Sequence, residues 1–208
     1  MIKKIDDAVI GDHVVFGKYY QSNSETKEEI EWRVLAKEGT KLLLISEYAV
    51  DCQPYNTEYA EDVTWENCTL RKWLNEVFIK EAFSADEQQM ISETKVTAEA
   101  NPCFKTNPGN DTIDKVFLLS IAEADKYFSS DVDRMCDPTE YANAEPWIIS
   151  ENDEDSENDE ESCWWWLRSP GDGSDQAACV YWDGDIYGSG DDVNSSYNCV
   201  RPALWIEI

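Results

Sequence analysis

The chain has 208 residues, with 44 Asp plus Glu against 17 Lys plus Arg, a formal charge of -27. A folded chain of this length exposes roughly 10,000 Å², so about one uncompensated negative charge falls on every 400 Å², a surface that repels phosphate backbones and anionic lipids. Nucleic-acid and membrane-surface partners are therefore excluded, while 42% hydrophobic residues with 9 Trp give enough apolar volume for a core and exclude disorder.

Taken in chain order, Asp12 to Gln21 alternates apolar and polar residues and reads as a strand. Ile30 to Ala36 is a second strand and Leu42 to Ser46 a third, joined through the turn Glu38-Gly39-Thr40, so the N-terminus is expected to form an antiparallel meander. From Trp65 to Phe83 the period becomes helical, with Leu70, Trp73, Leu74, Val77 and Phe78 on one face and Thr64 or Asn67 as the cap. Ser84 to Glu87 is a capping box that opens a second helix through Ile91. Lys115 to Ser120 reads as a buried strand, Ile121 to Phe128 as a helix capped by Ser120, and Thr139 to Ala144 as one more helical turn. Beyond residue 163 come Cys163 to Ser169, Ala177 to Trp182, Ile186-Tyr187 and Val200 to Ile208 as short strands. Their turns are Pro170 to Gly173, Asp183-Gly184 and Gly188 to Gly190. The fold class that follows is α+β, one domain over 1–208: meander and helices to 134, an acidic loop over 151–161, and a β-rich segment over 163–208.

Charge divides the chain unevenly. Residues 1–134 carry a net of -11, and residues 135–208 a net of -16 with only two cations, Arg168 and Arg201, each within an apolar segment. An unpaired buried guanidinium is very costly, so both are expected to be structural clamps bound to a carboxylate or to backbone carbonyls. Glu151 to Glu161 holds eight carboxylates in eleven residues and reads as a solvated loop. Asp153, Asp155 and Glu157 copy the first three ligand positions of a calcium loop, without the glycine that should follow, and are the weak metal candidates; a structural calcium stays open.

No cofactor is called for. The seven cysteines stand 16 or more residues apart, without metal-ligand spacing, and are expected to be reduced and mostly buried. His13, the only histidine, is expected to be structural, which leaves nucleophilic catalysis without a well-placed base. The glycines of Ser169 to Asp175 lack a lysine and lie among aspartates, which argues against phosphate binding. No apolar run approaches the roughly 20 residues of a membrane helix, and no apolar stretch follows the charged N-terminus as in a secretory signal. A cytoplasmic location is expected.

The composite of Trp165-Trp166-Leu167-Arg168-Ser169-Pro170-Gly171, Asp183-Gly184 and Val200-Arg201-Pro202-Ala203-Leu204-Trp205-Ile206 resembles an uncharacterised bacterial domain family of unknown function. That family closes with WWLRSPG, a DG turn and GVRPALWI. Earlier blocks are similar too, among them Glu31-Trp32-Arg33-Val34-Leu35 and Arg71-Lys72-Trp73-Leu74-Asn75; Cys199 departs from the family, which has glycine there. More remotely, the ending resembles the C-type lectin-like fold in its formylglycine-generating branch, which implies a body holding long C-terminal loops on one face. The closely spaced cysteine pair of that branch is missing, since Cys179 and Cys199 are 20 residues apart, so its activity is not carried over. The sugar-binding calcium motifs of true C-type lectins are absent as well.

What remains is a concentration of aromatics and carboxylates near the C-terminus. The expected role is a non-enzymatic binding module for a protein or carbohydrate ligand, with a face made of Trp182, Asp183, Asp185, Tyr187, Asp191, Asp192, Asn194 and Tyr197. Alternatives are an enzyme distantly related to formylglycine-generating proteins and an acidic interaction protein that mimics DNA. Strand alternation sends Trp165 away from Trp164 and Trp166, so one face of the triplet is expected in the core, and whether the other is exposed stays open. Oligomeric state is not legible.

Overall fold

The chain folds into two main sheets with helices packed around them; the structure, a computed structural model, describes residues 2–144 and 162–208. The expected meander forms, its first two long strands alternating and its third a continuous apolar run. Strands β1 (Ile2–Lys3), β2 (His13–Tyr20), β3 (Lys27–Glu38) and β4 (Lys41–Ser46) lie side by side, with β3 antiparallel to both neighbours and β1 parallel to β2. The remaining strands are β5 (Asp51–Cys52), β6 (Thr94–Val96), β7 (Thr112–Asp114), β8 (Val116–Phe117), β9 (Trp165–Pro170), β10 (Gln176–Val180), β11 (Ile186–Asp192), β12 (Cys199–Val200) and β13 (Ala203–Glu207). The first sheet runs β1-β2-β3-β4-β13-β8 and the second β11-β10-β9-β12-β5, while β6 and β7 pair by themselves.

The expected terminal strand, Val200 to Ile208, is in fact two strands in two sheets. Pro202 has no N–H for a ladder, so the chain breaks there: β12 pairs with β9 and β5, and β13 crosses to lie between β4 and β8. Arg201 sits at the crossing. The sheets are also not purely antiparallel as expected, because β1/β2 and β9/β12 are parallel.

The helical stretch begins later than its sequence suggests. Cys68, rather than Thr64 or Asn67, caps α1 (Thr69–Trp73), its sulfur accepting from the Arg71 N–H. The helix then widens into a π-helical turn, Leu74–Phe78, before α2 (Ile79–Ala82). Both Ser-x-x-Glu capping boxes form, at Ser84 for α3 (Ala85–Met90) and at Ser120 for α4 (Ile121–Tyr127). Short helices α5 (Asp131–Arg134) and α6 (Glu140–Asn143) follow.

Every residue of β9 is buried, because β9 is central in its sheet and covered on both faces. Trp165 and Trp166 therefore point opposite ways and are both in the core, the first packing on Phe128 and the second on Tyr55. Only Trp164, at the strand's open end, is half-buried, so the triplet presents no exposed face of its own. Gly188 to Gly190, expected as a turn, lies inside β11. Gly190 has φ +81° and a Cβ there would come within 2.4 Å of the Ala177 carbonyl, beside the register shift between Ala177 and Cys179, so this is a glycine-enabled bulge.

The cysteines need the largest correction. Cys52 and Cys199 form a disulfide across β5 and β12, joining positions 147 residues apart. Cys68, Cys136, Cys163 and Cys179 are buried free thiols, and Cys103 is an exposed one. Among the described residues, no helix is long and apolar enough to cross a membrane.

Candidate functional site

The two buried arginines are both clamps, by different routes. Arg168 pairs with the Glu123 carboxylate and donates to the Leu118 carbonyl at 2.8 Å. Arg201, 2% exposed, has no carboxylate within bonding distance among the described residues. It donates to the carbonyls of Ser46 (3.0 Å), Arg134 (3.1 Å) and Glu47 (3.4 Å), and lies over the Trp165 and Phe128 rings at 5.1 and 5.3 Å. His13 places Nδ1 2.7 Å from Glu31 Oε1 and faces no cysteine or serine nucleophile among its hydrogen-bond partners.

The eight candidate face residues all lie outside the core, along and beside the edge strand β11, but in two groups. At one end Tyr181 is sandwiched between Trp164 (ring centroids 4.2 Å apart) and Tyr187 (4.5 Å), a half-buried aromatic ladder. Burial, followed by the hydrogen bond to Tyr187, pushes the Tyr181 hydroxyl far above its ordinary pKa, so it stays protonated. Trp182, 38% exposed, stands next to it on the turn that carries Asp183 and Asp185.

That turn is rigid. Asp183 Oδ1 accepts the Asp185 N–H at 3.0 Å, Arg134 Nε donates to the Gly184 carbonyl at 2.8 Å, and Gly184 has φ +84° with its α-carbon pressed against the Asp131 backbone. At the other end, roughly 20 Å along the strand, Asp191 accepts from Asn198 at 2.7 Å, and Asp192, Asn194 and Tyr197 are exposed. Asp183, Asp185, Asp191 and Asp192 form no ion pair among the described residues. The middle of β11 is tied down, since Asn101 Nδ2 donates to the Gly188 carbonyl at 2.7 Å and the Asp172 N–H to the Ser189 carbonyl at 2.8 Å.

A second concave feature was not legible from the sequence. An open groove of about 530 Å³ lies at the opposite edge of the same sheet, beside β5. Its walls are aromatic, with Tyr19, Tyr20, Trp73 and Tyr141, and its carboxylates are Asp51 and Glu81. Tyr19 donates its hydroxyl to Asp51 at 2.9 Å, and burial together with that carboxylate's charge keeps the phenol protonated far above its ordinary pKa.

Among the described residues no group of three or more His, Cys, Asp or Glu is placed to hold a metal ion, and Asp153, Asp155 and Glu157 lie outside those residues. The fold is thus an α+β domain of two mixed sheets, with acidic and aromatic surface features at both edges of the second. The chain belongs to the family described as "Domain of unknown function (DUF6273)", which matches residues 39–208. No curated protein and no solved structure matches it.

Proposed function

We propose that the protein is a non-enzymatic binding module that recognises a positively charged polypeptide segment along its β11 edge. The observation that carries this reading is the set of carboxylates Asp183, Asp185, Asp191 and Asp192 along one edge, none of them in an ion pair among the described residues, flanked by exposed Trp182 and Tyr197. Two exposed groups roughly 20 Å apart suit an extended ligand better than a small one. The tied-down middle of β11 reserves recognition for side chains and argues against addition of a further strand. A carbohydrate is less well served, because the ladder spends its ring faces on internal stacking. The C-type lectin-like reading is part of the same proposal; the return of β13 into the N-terminal sheet, leaving the segment from Trp164 to Tyr197 to form the recognition edge, supports it.

Arrays of basic peptides and of glycans, probed with the wild type and with a Trp182→Ala/Asp185→Asn double variant, test the proposal. Salt-sensitive peptide binding that the variant loses is expected. Glycan-selective binding, or peptide binding that the variant retains, would overturn it.

A further inference from the structure

Two cysteines remote in sequence meet just before β9. The Cys163 N–H donates to the Cys136 carbonyl at 2.7 Å and the Ser162 hydroxyl to the Asp137 carboxylate at 2.8 Å, so the two segments run in contact. A backbone bond of that kind holds two α-carbons roughly 5–6 Å apart, a separation that a disulfide can bridge. The two thiols are hydrogen-bonded to each other. Both are free, and both are buried, at 2% and 7% exposure.

A buried cation stands beside them. Arg201 has no carboxylate within bonding distance among the described residues; its Nη2 donates to the Glu47 carbonyl at 3.4 Å, and the Cys136 sulfur donates to the same oxygen at 3.6 Å. A guanidinium that no side chain neutralises favours a thiolate, the reactive form of cysteine. Burial raises the Cys136 thiol and the charges of Glu47 and Asp137 add to that, but the hydrogen bond from Cys163 and the Arg201 charge outweigh them and hold it below its ordinary value. Burial and the same hydrogen bond push Cys163 well above its own. Cys136 is therefore the thiol of the pair that ionises first, with Cys163 as its hydrogen-bond donor.

We propose that Cys136 and Cys163 form a peroxide-reactive dithiol, an oxidative modification site in which Cys136 is the nucleophile and Cys163 the resolving thiol. The Cys136 thiolate attacks one oxygen of hydrogen peroxide, the O–O bond breaks, and the leaving hydroxide takes up a proton to become water, which leaves Cys136 as a sulfenic acid. The Cys163 sulfur then attacks the Cys136 sulfur, the S–O bond breaks, and a second water departs as the disulfide forms. Two thiols and one peroxide thus give one disulfide and two waters, the sulfurs losing the two electrons that the peroxide gains. Hydrogen peroxide is small enough to reach sulfurs enclosed to this degree, where a bulky disulfide oxidant is not.

The test treats the intact protein with hydrogen peroxide in small steps, blocks the remaining thiols by alkylation, and maps the peptides under non-reducing conditions. A Cys136–Cys163 cross-link is expected to appear before the exposed Cys103 is oxidised, with Cys68 and Cys179 still alkylated as thiols. In Cys163→Ser the resolving step is lost, and dimedone is expected to trap a sulfenic acid on Cys136. Arg201→Gln is expected to slow formation of the cross-link by at least about tenfold, and Arg201→Lys by less, because the lysine keeps the charge. No cross-link in the wild type, oxidation of Cys103 ahead of the pair, or dimedone trapped on Cys163 of the wild type in place of Cys136 would each overturn the proposal; the first two readouts need no variant to fold.

Discussion

Arg168 and Glu123 join the central strand of the second sheet to the first turn of α4. The Glu123 carboxylate receives the Arg168 guanidinium and also accepts the Ser120 N–H at 2.9 Å, so one side chain closes a capping box and neutralises a buried cation. Glu123→Ala strands the guanidinium and opens the cap together, and is expected to cost about 2–4 kcal/mol. Glu123→Gln keeps the capping geometry and is expected to cost less. Urea denaturation of the two variants checks the order.

The Cys52–Cys199 disulfide closes a span of 147 residues and ties β5 to β12. Chain-entropy arithmetic puts such a link near the top of the usual range, so Cys52→Ala is expected to lower stability by about 3–5 kcal/mol. A peptide map under non-reducing conditions should recover the two cysteines in one cross-linked fragment, and thermal unfolding measures the loss.

Acid sensitivity is expected to centre on Asp133. Its hydrogen bond with Arg33, at 2.7 Å, holds the carboxyl at about 2, below the ordinary 3.8. A carboxyl lowered on folding contributes stability that is fully present above its unfolded pKa and is lost as pH falls through the folded one. The window is therefore between about pH 4 and pH 2, and screening of this partly exposed pair limits the effect to about 1–2 kcal/mol. Asp133→Asn should flatten the stability profile in that window, measured by denaturation at stepped pH.

The turn that displays Trp182 depends on a missing side chain. A Cβ at residue 184 would fall 1.8 Å from the Asp131 carbonyl oxygen, and the backbone there has φ +84°. Gly184→Ala is expected to cost more than about 2 kcal/mol and to shift the indole signal of Trp182, which an NMR spectrum would show.

Much of the fold is local and was legible as such. The meander follows from alternation in β2 and β3 and a continuous apolar run in β4, and the two capping boxes follow from Ser and Glu three residues apart. Arg168 and Arg201 had to be clamped because burying a bare guanidinium is prohibitive, though only the fold decides that one takes a carboxylate and the other carbonyls. What escaped were relations between distant segments. Nothing near Cys52 or Cys199 marks them as partners, and Trp165 and Trp166 are both in the core only because β9 is central. The groove draws Tyr19 and Tyr20 from β2, Asp51 from β5, Trp73 from α1 and Tyr141 from α6; the adjacent tyrosines were its one local trace. The C-terminal candidates were found by composition, which could not show that β11 separates them into two groups.

The most direct measurement of the binding reading is a titration of the intact protein with an extended lysine- and arginine-rich peptide, followed by NMR at low and at high salt. The indole signal of Trp182 and the backbone signals of Asp183, Asp185 and Asp192 should shift together, saturably, with affinity falling as salt rises. Shifts confined to other surfaces, or a Trp182 signal that does not move while the peptide binds, would contradict it.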